Sequence, residues 1–483
     1  MTRPSSFYWY DYETFGADPR RDRPAQFAGL RTDADLNPIG EPLTLYCQPA
    51  PDFLPVPEAC LITGITPQEA RRRGVPEAEF IAAIHEQFSE PGTCVVGYNN
   101  VRFDDEVTRH ALYRNFFDAY AYSWRNGNSR WDLIDPLRLA RALRPEGIEW
   151  PKDDTGRPSM KLELLTAANG IDHVGAHDAL VDVRATLAMA RLLKDKQPKL
   201  FQFLFDNRGK RQAADLLALG AMQPVVHASE KFSGDKHCIA VVVALAGHPT
   251  NPNGVVTYDL SDDPSDLLSL DPDALRARLF TPVAQLPAGV ARLNLKTVHL
   301  NKCPVLAPMK VLRLQDAERL GLDLRGCERH LEALRHAPDL AKKVHAILAT
   351  PSPSEGGAAE PDPDTMLYDG GFFSDQDKRL MDRLRTMSPA ELARATLAFE
   401  DARLPEMLFR YRARNYPETL NADERARWET FRLRRINEPA GGGGIARADY
   451  KNSLRALESQ PDLPPRHREI IAELWAYLRE IAP

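Results

Sequence analysis

The apolar run Phe7-Tyr8-Trp9-Tyr10 leads directly into Asp11-Tyr12-Glu13-Thr14-Phe15-Gly16. Its aromatic content reads as a strand, and side chains on a strand alternate with a period of two. Asp11 and Glu13 therefore share one face. Two carboxylates so placed at the end of an apolar strand repel each other and are costly to desolvate. Taken alone the pair reads as a solvated loop entrance; the arrangement becomes sensible as a buried one if divalent cations sit between the two carboxylates.

At 483 residues the chain exceeds one typical core, and roughly two to four domains are expected. A hydrophobic content of 43% with 27% charged residues belongs to an ordinary soluble globular protein, not to a fibrous or disordered one. No apolar stretch is long enough to span a membrane, and Met1-Thr2-Arg3-Pro4 opens no signal-peptide hydrophobic region. Cys47, Cys60, Cys94, Cys238, Cys303 and Cys327 form no Cys-x-x-Cys pair, which argues against zinc and disulfide frameworks and suits a reducing cytoplasm. The net charge of −6 does not announce a nucleic-acid binder, so any basic surface has to be local.

Residues 7–195 read as α/β, with short strands at 7–12, 26–32, 43–48 and 94–98 alternating with helical patterns. Thr66-Pro67-Gln68-Glu69 is a helix start, with Thr66 as cap and Pro67 at the first position. Residues 198–350 carry β-type runs at 238–246 and 255–258 and read as a small β-rich domain. The Pro/Ser/Gly-rich stretch 351–363 is a linker by composition, and 360–483 reads as an all-α domain, with Gly441 to Gly444 as a flexible loop.

Two further stretches carry chemistry. In Asn100-Val101-Arg102-Phe103-Asp104-Asp105, a strand ends and Asp104 stands where a helix begins. In His177-Asp178-Ala179-Leu180-Val181-Asp182, an Ala-rich helix opens, running to about Leu193. Two metals about 3.5–4 Å apart stabilise the attacking and leaving oxygens of phosphodiester displacement, and they need carboxylates from separate elements. Hard oxygen ligands favour Mg²⁺ or Mn²⁺, and a histidine nearby can take a proton from water. Singly, Asp104 reads as a helix cap and His177 as a surface residue. Asp178 and Asp182 share one helical face, so either could be the ligand. The ordered trio of Asp-x-Glu, Asn-x-x-Phe-Asp and His-x-x-x-x-Asp carries the signal.

That order resembles the DEDD superfamily of proofreading-type 3′→5′ exonucleases, in the branch with histidine five residues before the last aspartate. The phrases Asp11 to Gly16, Arg23 to Phe27, Leu61 to Ala70, Tyr98 to Asp105, Asn128 to Leu133, Ala142 to Ile148, His299 to Leu306 and Tyr411 to Asn415 resemble bacterial exodeoxyribonuclease I in particular. The resemblance covers essentially the whole chain. It implies a ribonuclease-H-like exonuclease domain, an SH3-like middle domain and a helical last domain, forming a channel for one strand. It implies that Asp11, Glu13, Asp104 and Asp182 hold two Mg²⁺ ions (Mn²⁺ substituting), with His177 as general base, and it selects Asp182 over Asp178. Glu13 also faces the substrate. The activity implied is release of nucleotides from the 3′ end of single-stranded DNA, in DNA repair and recombination. The partner implied is the acidic, apolar-tipped tail of single-stranded-DNA-binding protein. Where the family commonly has arginine before Leu-Glu, this chain has Lys161, a point charge in place of a planar fork.

From Arg109 to Trp131 the chain interleaves aromatic and basic residues, as sequence-independent single-strand binding requires. Arg109, Tyr113, Phe116 and Tyr120 fall at helical spacing, which predicts one helical face. More than half of these aromatics are expected to fill the core. The substrate contacts expected are Arg109, Tyr120, Trp124, Arg138 and Lys161, with Lys210 and Lys296 from the middle domain. His173, His227, His237 and His248 join no carboxylate or cysteine pattern and are read as structural. A monomer is expected. The competing readings are a 3′→5′ exoribonuclease of the oligoribonuclease kind, and a non-catalytic single-strand-binding protein.

Overall fold

The computed structural model describes residues 5–349, 362–438 and 442–482. Near the N-terminus, β1 (Ser6–Thr14), β2 (Pro24–Thr32), β3 (Pro38–Tyr46), β4 (Thr93–Gly97) and β5 (Ser129–Asp132) form a sheet in the order β3-β2-β1-β4-β5. β1 is antiparallel to β2 and parallel to β4, so it is central and paired on both sides. That explains why all of it but the half-buried Asp11 is buried. Tyr8, Tyr10 and Tyr12 point to one face and pack with Phe27, Phe80, Ile84 and Phe88, while Asp11 and Glu13 point to the other. The register shifts between Glu13 and Thr14, just past the second carboxylate, and Thr14 pairs with Pro24 beyond it.

A second sheet, β6 (Pro224–Ala228), β7 (Ile239–Gly247), β8 (Gly254–Asp259), β9 (Leu295–His299) and β10 (Val305–Pro308), is antiparallel in the order β10-β6-β7-β8-β9. Its core includes Val225, Val242, Ala244, Val255, Val298 and Leu306, sealed by Ala213 and Leu217. The runs 238–246 and 255–258 thus appear as β7 and β8. The sequence reading did not find β5, β6, β9 and β10, which are four or five residues long and lack a repeating pattern.

The described chain forms two compact units. One holds the described residues of Thr2–Arg130, His173–Leu187 and Gly357–Pro483; the other holds Trp131–Asp172 and the described part of Ala188–Gly356. Within the first unit the helical C-terminal region shares cores with the N-terminal sheet. Met381, Leu384, Met407 and Tyr411 join the tyrosine cluster, and Ile436, Tyr450, Leu454, Ile470 and Leu474 enclose Phe15, Phe53 and Cys60. From Asp362 on, the regular elements described are all helical, among them Asp375–Arg385, Arg403–Asn415, Ala422–Asn437, Arg447–Glu458 and Pro465–Ile481.

The linker stretch 351–361 and Gly441 lie outside the described residues. The rest of the glycine loop is pinned. A Cβ on Gly444 would lie 2.2 Å from Asp22 Oδ1, so only glycine lets this backbone press onto Asp22. Thr66 caps its helix as expected, accepting from Glu69 N–H at 3.3 Å, and also donates to Glu473 at 2.5 Å. No disulfide joins the cysteines, and among the described residues no helix is long and apolar enough to cross a membrane.

Candidate active site

Three elements of the first unit bring the acidic residues together. β1 supplies Asp11 and Glu13. The helix Asp104–Arg114 begins at Asp104, whose Oδ1 accepts the Tyr12 backbone N–H at 3.2 Å. Its neighbour Asp105 is fully buried, accepting from the Tyr10 hydroxyl at 2.5 Å and from Arg130. The third element is the helix Ala179–Lys196 with the loop before it. There Asp178 and Asp182, equivalent by spacing, separate. Asp178 Oδ1 caps the helix by accepting from Leu180 N–H and Val181 N–H, and its Oδ2 accepts from Gln26 Nε2 at 3.1 Å. Asp182, one turn on, faces Glu13.

Glu13, His177 and Asp182 each offer a ligand atom within 4.8 Å of the others, a spacing that can hold a metal ion. The electrostatics show the crowding. Burial first, then Asp182, Asp104 and Asp178, push the Glu13 carboxyl up to about 9. Burial, then Asp104, Glu13, Asp182 and Asp178, push Asp11 well above the usual carboxylate range. Asp11 and Glu13, which resist ionising beside Asp104, Asp178 and Asp182, form a site built for a cation. His177 is exposed at its rim with φ +71°, a left-handed conformation forced by the tight loop.

The chain also matches family models along its length: "Exonuclease" over residues 8–190, "Exonuclease I SH3-like domain" over 208–350 and "Exonuclease I C-terminal domain" over 361–481. The exodeoxyribonuclease I of Escherichia coli K12 is 48% identical over 477 residues, spanning 99% of this chain and 98% of that one. The chain belongs to the exodeoxyribonuclease I family.

Solved exonuclease I structures agree. The moderately thermophilic exonuclease I of Methylocaldum szegediense is 63% identical, with a TM-score of 0.95 over 99% of this chain and all of that one. The E. coli exonuclease I complexed with a dA16 oligonucleotide is 47% identical, with a TM-score of 0.94 over the same shares. Other matched structures are a zinc-bound E. coli exonuclease I–single-stranded DNA complex and an SSB/exonuclease I structure with the inhibitor CFAM. The N-terminal sheet with its helices is thus the ribonuclease-H-like exonuclease fold, followed by the SH3-like and helical domains of exonuclease I.

The expected strand contacts in this exonuclease I chain divide between the units. In the first, the helix ends at Arg114 and Phe116 turns left-handed at φ +64°, so the single helical face expected for Arg109, Tyr113, Phe116 and Tyr120 does not form. Asn115 and Phe116 make the turn that sequence spacing overlooked. Tyr113, Phe116 and Tyr122 are core, and Trp131 is core in the second unit, as expected for most of these aromatics. Arg109 is buried, bonded to Glu106 at 2.9 Å and the Tyr368 hydroxyl at 3.3 Å, and it lies 5.6 Å over the Tyr120 ring. Trp124 is exposed.

In the second unit, Arg138 is buried against Asp135 at 2.5 Å and Glu230 at 3.7 Å. Lys161 and Lys210 are exposed, and Lys296 is half-buried, donating to the Lys231 carbonyl and lying 4.4 Å over Phe232. Sequence reading missed three residues of the first unit. Tyr368 and Phe372 sit beside Tyr120, with ring centroids 6.3 and 6.1 Å away, and Phe372 is 87% exposed. Their signal was present, since Tyr368 and Phe372-Phe373 flank the turn-forming Asp369-Gly370-Gly371. The third is His173, whose Nε2 lies 2.5 Å from Asp182 Oδ1.

Proposed function

We propose that this chain is a Mg²⁺-dependent 3′→5′ exodeoxyribonuclease that degrades single-stranded DNA to nucleotides, acting as a cytoplasmic monomer in DNA repair and recombination. The convergence of Glu13, His177 and Asp182 within 4.8 Å, beside Asp11 and Asp104, carries this reading. The donors are mainly carboxylate oxygens, which suit Mg²⁺ or Mn²⁺ better than a closed zinc site. Asp11, Glu13, Asp104 and Asp182 would hold two ions, and bound Mg²⁺ would stabilise the attacking and leaving oxygens of the displaced phosphodiester. His177, exposed at the rim, takes the proton of the attacking water on its imidazole nitrogen. Glu13 also faces the terminal nucleotide.

Tyr120, Trp124, Tyr368 and Phe372 offer ring faces for successive bases, which is how strands are held without sequence preference. Arg109 sets the Tyr120 ring. Arg138, Lys161, Lys210 and Lys296 are the cations assigned to the strand's phosphates, Lys161 standing where the family commonly has arginine. The SH3-like and helical domains favour a long DNA strand over a dinucleotide or short RNA. The acidic tail of single-stranded-DNA-binding protein is the partner assigned.

The test is degradation of matched 3′-labelled DNA and RNA oligonucleotides by wild type and Asp11→Ala, with Mg²⁺ and with EDTA. Only wild type with Mg²⁺ should shorten DNA from its 3′ end. Cleavage retained by Asp11→Ala overturns the site, and faster cleavage of RNA overturns the substrate. For the partner, titration with the tail peptide at modest salt should show binding; none removes it.

A further inference from the structure

We propose that His173 is a positioning residue that holds the Asp182 carboxylate in its ligating orientation. The inference rests on the reading of Asp182 as a metal ligand. His173 Nε2 lies 2.5 Å from Asp182 Oδ1, and the backbone N–H of His177 reaches Asp182 Oδ2 at 3.3 Å. Both oxygens are thus gripped by the same short loop, and the carboxylate cannot turn about its own axis without losing one bond. An ionised carboxylate only accepts hydrogen bonds, so in this bond Nε2 is the donor and carries the hydrogen.

The burial is selective. The His173 side chain is 6% exposed, yet its neighbour Val174 is 88% exposed and His177 stands in solvent. The chain tucks one imidazole under the loop and leaves the residues around it outside. The loop returns through Gly175 at φ +92° and His177 at φ +71°, a conformation L-residues adopt at a cost. The His173–Asp182 bond closes this loop onto the helix. It therefore sets Asp182 and His177 relative to each other as well as fixing the carboxylate. Ligating carboxylates are commonly held by such outer partners, whose loss costs about 10–100-fold in metal affinity or activity.

The experiment measures Mn²⁺ binding to the full chain by calorimetry without DNA, alongside kcat and KM on a single-stranded oligonucleotide. His173→Leu should bind Mn²⁺ about tenfold or more weakly and lose kcat with KM unchanged. His173→Gln, whose amide nitrogen reaches the place of Nε2, should restore most of both. If His173→Leu fails to fold by near-UV circular dichroism, His173→Asn, polar but too short to reach Asp182, is read in its place. Asp182→Asn separates the two readings. Should Asp182→Asn bind Mn²⁺ like wild type, the metal site itself is wrong and this inference falls with it. Should Asp182→Asn lose Mn²⁺ while the donor-less His173 variant keeps wild-type affinity and kcat, only this inference falls. His173→Gln no better than His173→Leu also overturns it, because the role would then need the imidazole itself.

Discussion

The backbone N–H of Tyr12 donates to Asp104 Oδ1 at 3.2 Å. Tyr12 is the residue between Asp11 and Glu13, so the peptide that sets two carboxylates on β1 also sets the third. Its ring points the other way, and there Thr108, one helical turn beyond Asp104, donates to the Tyr12 hydroxyl at 3.1 Å. The helix Asp104–Arg114 thus rests on β1 at two points. The neighbouring Tyr10 hydroxyl adds a third through Asp105.

Tyr10→Phe removes a donor from a fully buried carboxylate and should destabilise the protein by about 1–3 kcal/mol in urea unfolding. The same variant should lose kcat, because Asp104 begins the helix that Asp105 anchors. Wild-type stability would show that Arg130 and Asn100 suffice to hold Asp105.

Glu13→Gln should abolish cleavage yet raise the melting temperature in EDTA. Glu13 is pushed up to about 9, chiefly by burial. An acid whose folded pKa exceeds its unfolded value weakens the fold as pH climbs from about 4, where the unfolded chain ionises. The penalty stops growing once pH passes the folded value. At pH 7 to 8 the neutral amide escapes most of it, gaining about 1 °C for each kcal/mol in a chain of this length. Near pH 3 the two proteins should melt together. Mg²⁺ should stabilise wild type more than the variant. A melting temperature lowered at pH 8 contradicts the crowding.

Asp52→Asn tests the joint between the N-terminal fold and the helical region. Arg414 Nη2 lies 2.7 Å and Arg435 Nε 3.3 Å from Asp52 Oδ2. Burial alone would raise the Asp52 carboxyl, but these two guanidinium groups outweigh it and hold it well below the usual carboxylate range. Its contribution is therefore fully present above an unfolded pKa of about 3.9 and fades as pH falls through the folded value. The variant should lose about 3–5 kcal/mol at pH 7, as broken buried pairs do, and its stability should fall less steeply than wild type below about pH 4. Denaturant unfolding across that range decides it; an unchanged acid limb refutes it.

Phe372→Ala should raise KM for single-stranded oligonucleotides while leaving the melting temperature unchanged, since the side chain is largely in solvent. One stacked base is worth about 1–3 kcal/mol, or roughly 5–150-fold in affinity. A fall in melting temperature with KM unchanged would make Phe372 part of the packing and not of the strand's path.

Much of the site is local and therefore legible in the chain. Strand alternation put Asp11 and Glu13 on one face, and turn chemistry marked Thr66 as a cap. Helix-forming composition marked the last region as helical. The ordered trio of acidic motifs identified the family, because each motif is read within a few residues. What needed distant residues was not legible. Asp178 and Asp182 are interchangeable by spacing; the resemblance selected Asp182, but the physical difference lies in their contacts with Gln26 on β2 and Glu13 on β1. His173 is nine residues from Asp182 with no pattern between them, yet the loop brings them to 2.5 Å. Tyr368 meets Tyr120 from a distant part of the chain, and the helical region shares a core with β1 besides the small cluster of its own around Phe409 and Trp428. Periodicity is set by bond geometry over a few residues, so the sequence determined which face each acid takes. Which groups then meet across that face depends on how remote segments bury their apolar sides together, and that was decided by the tertiary fold alone.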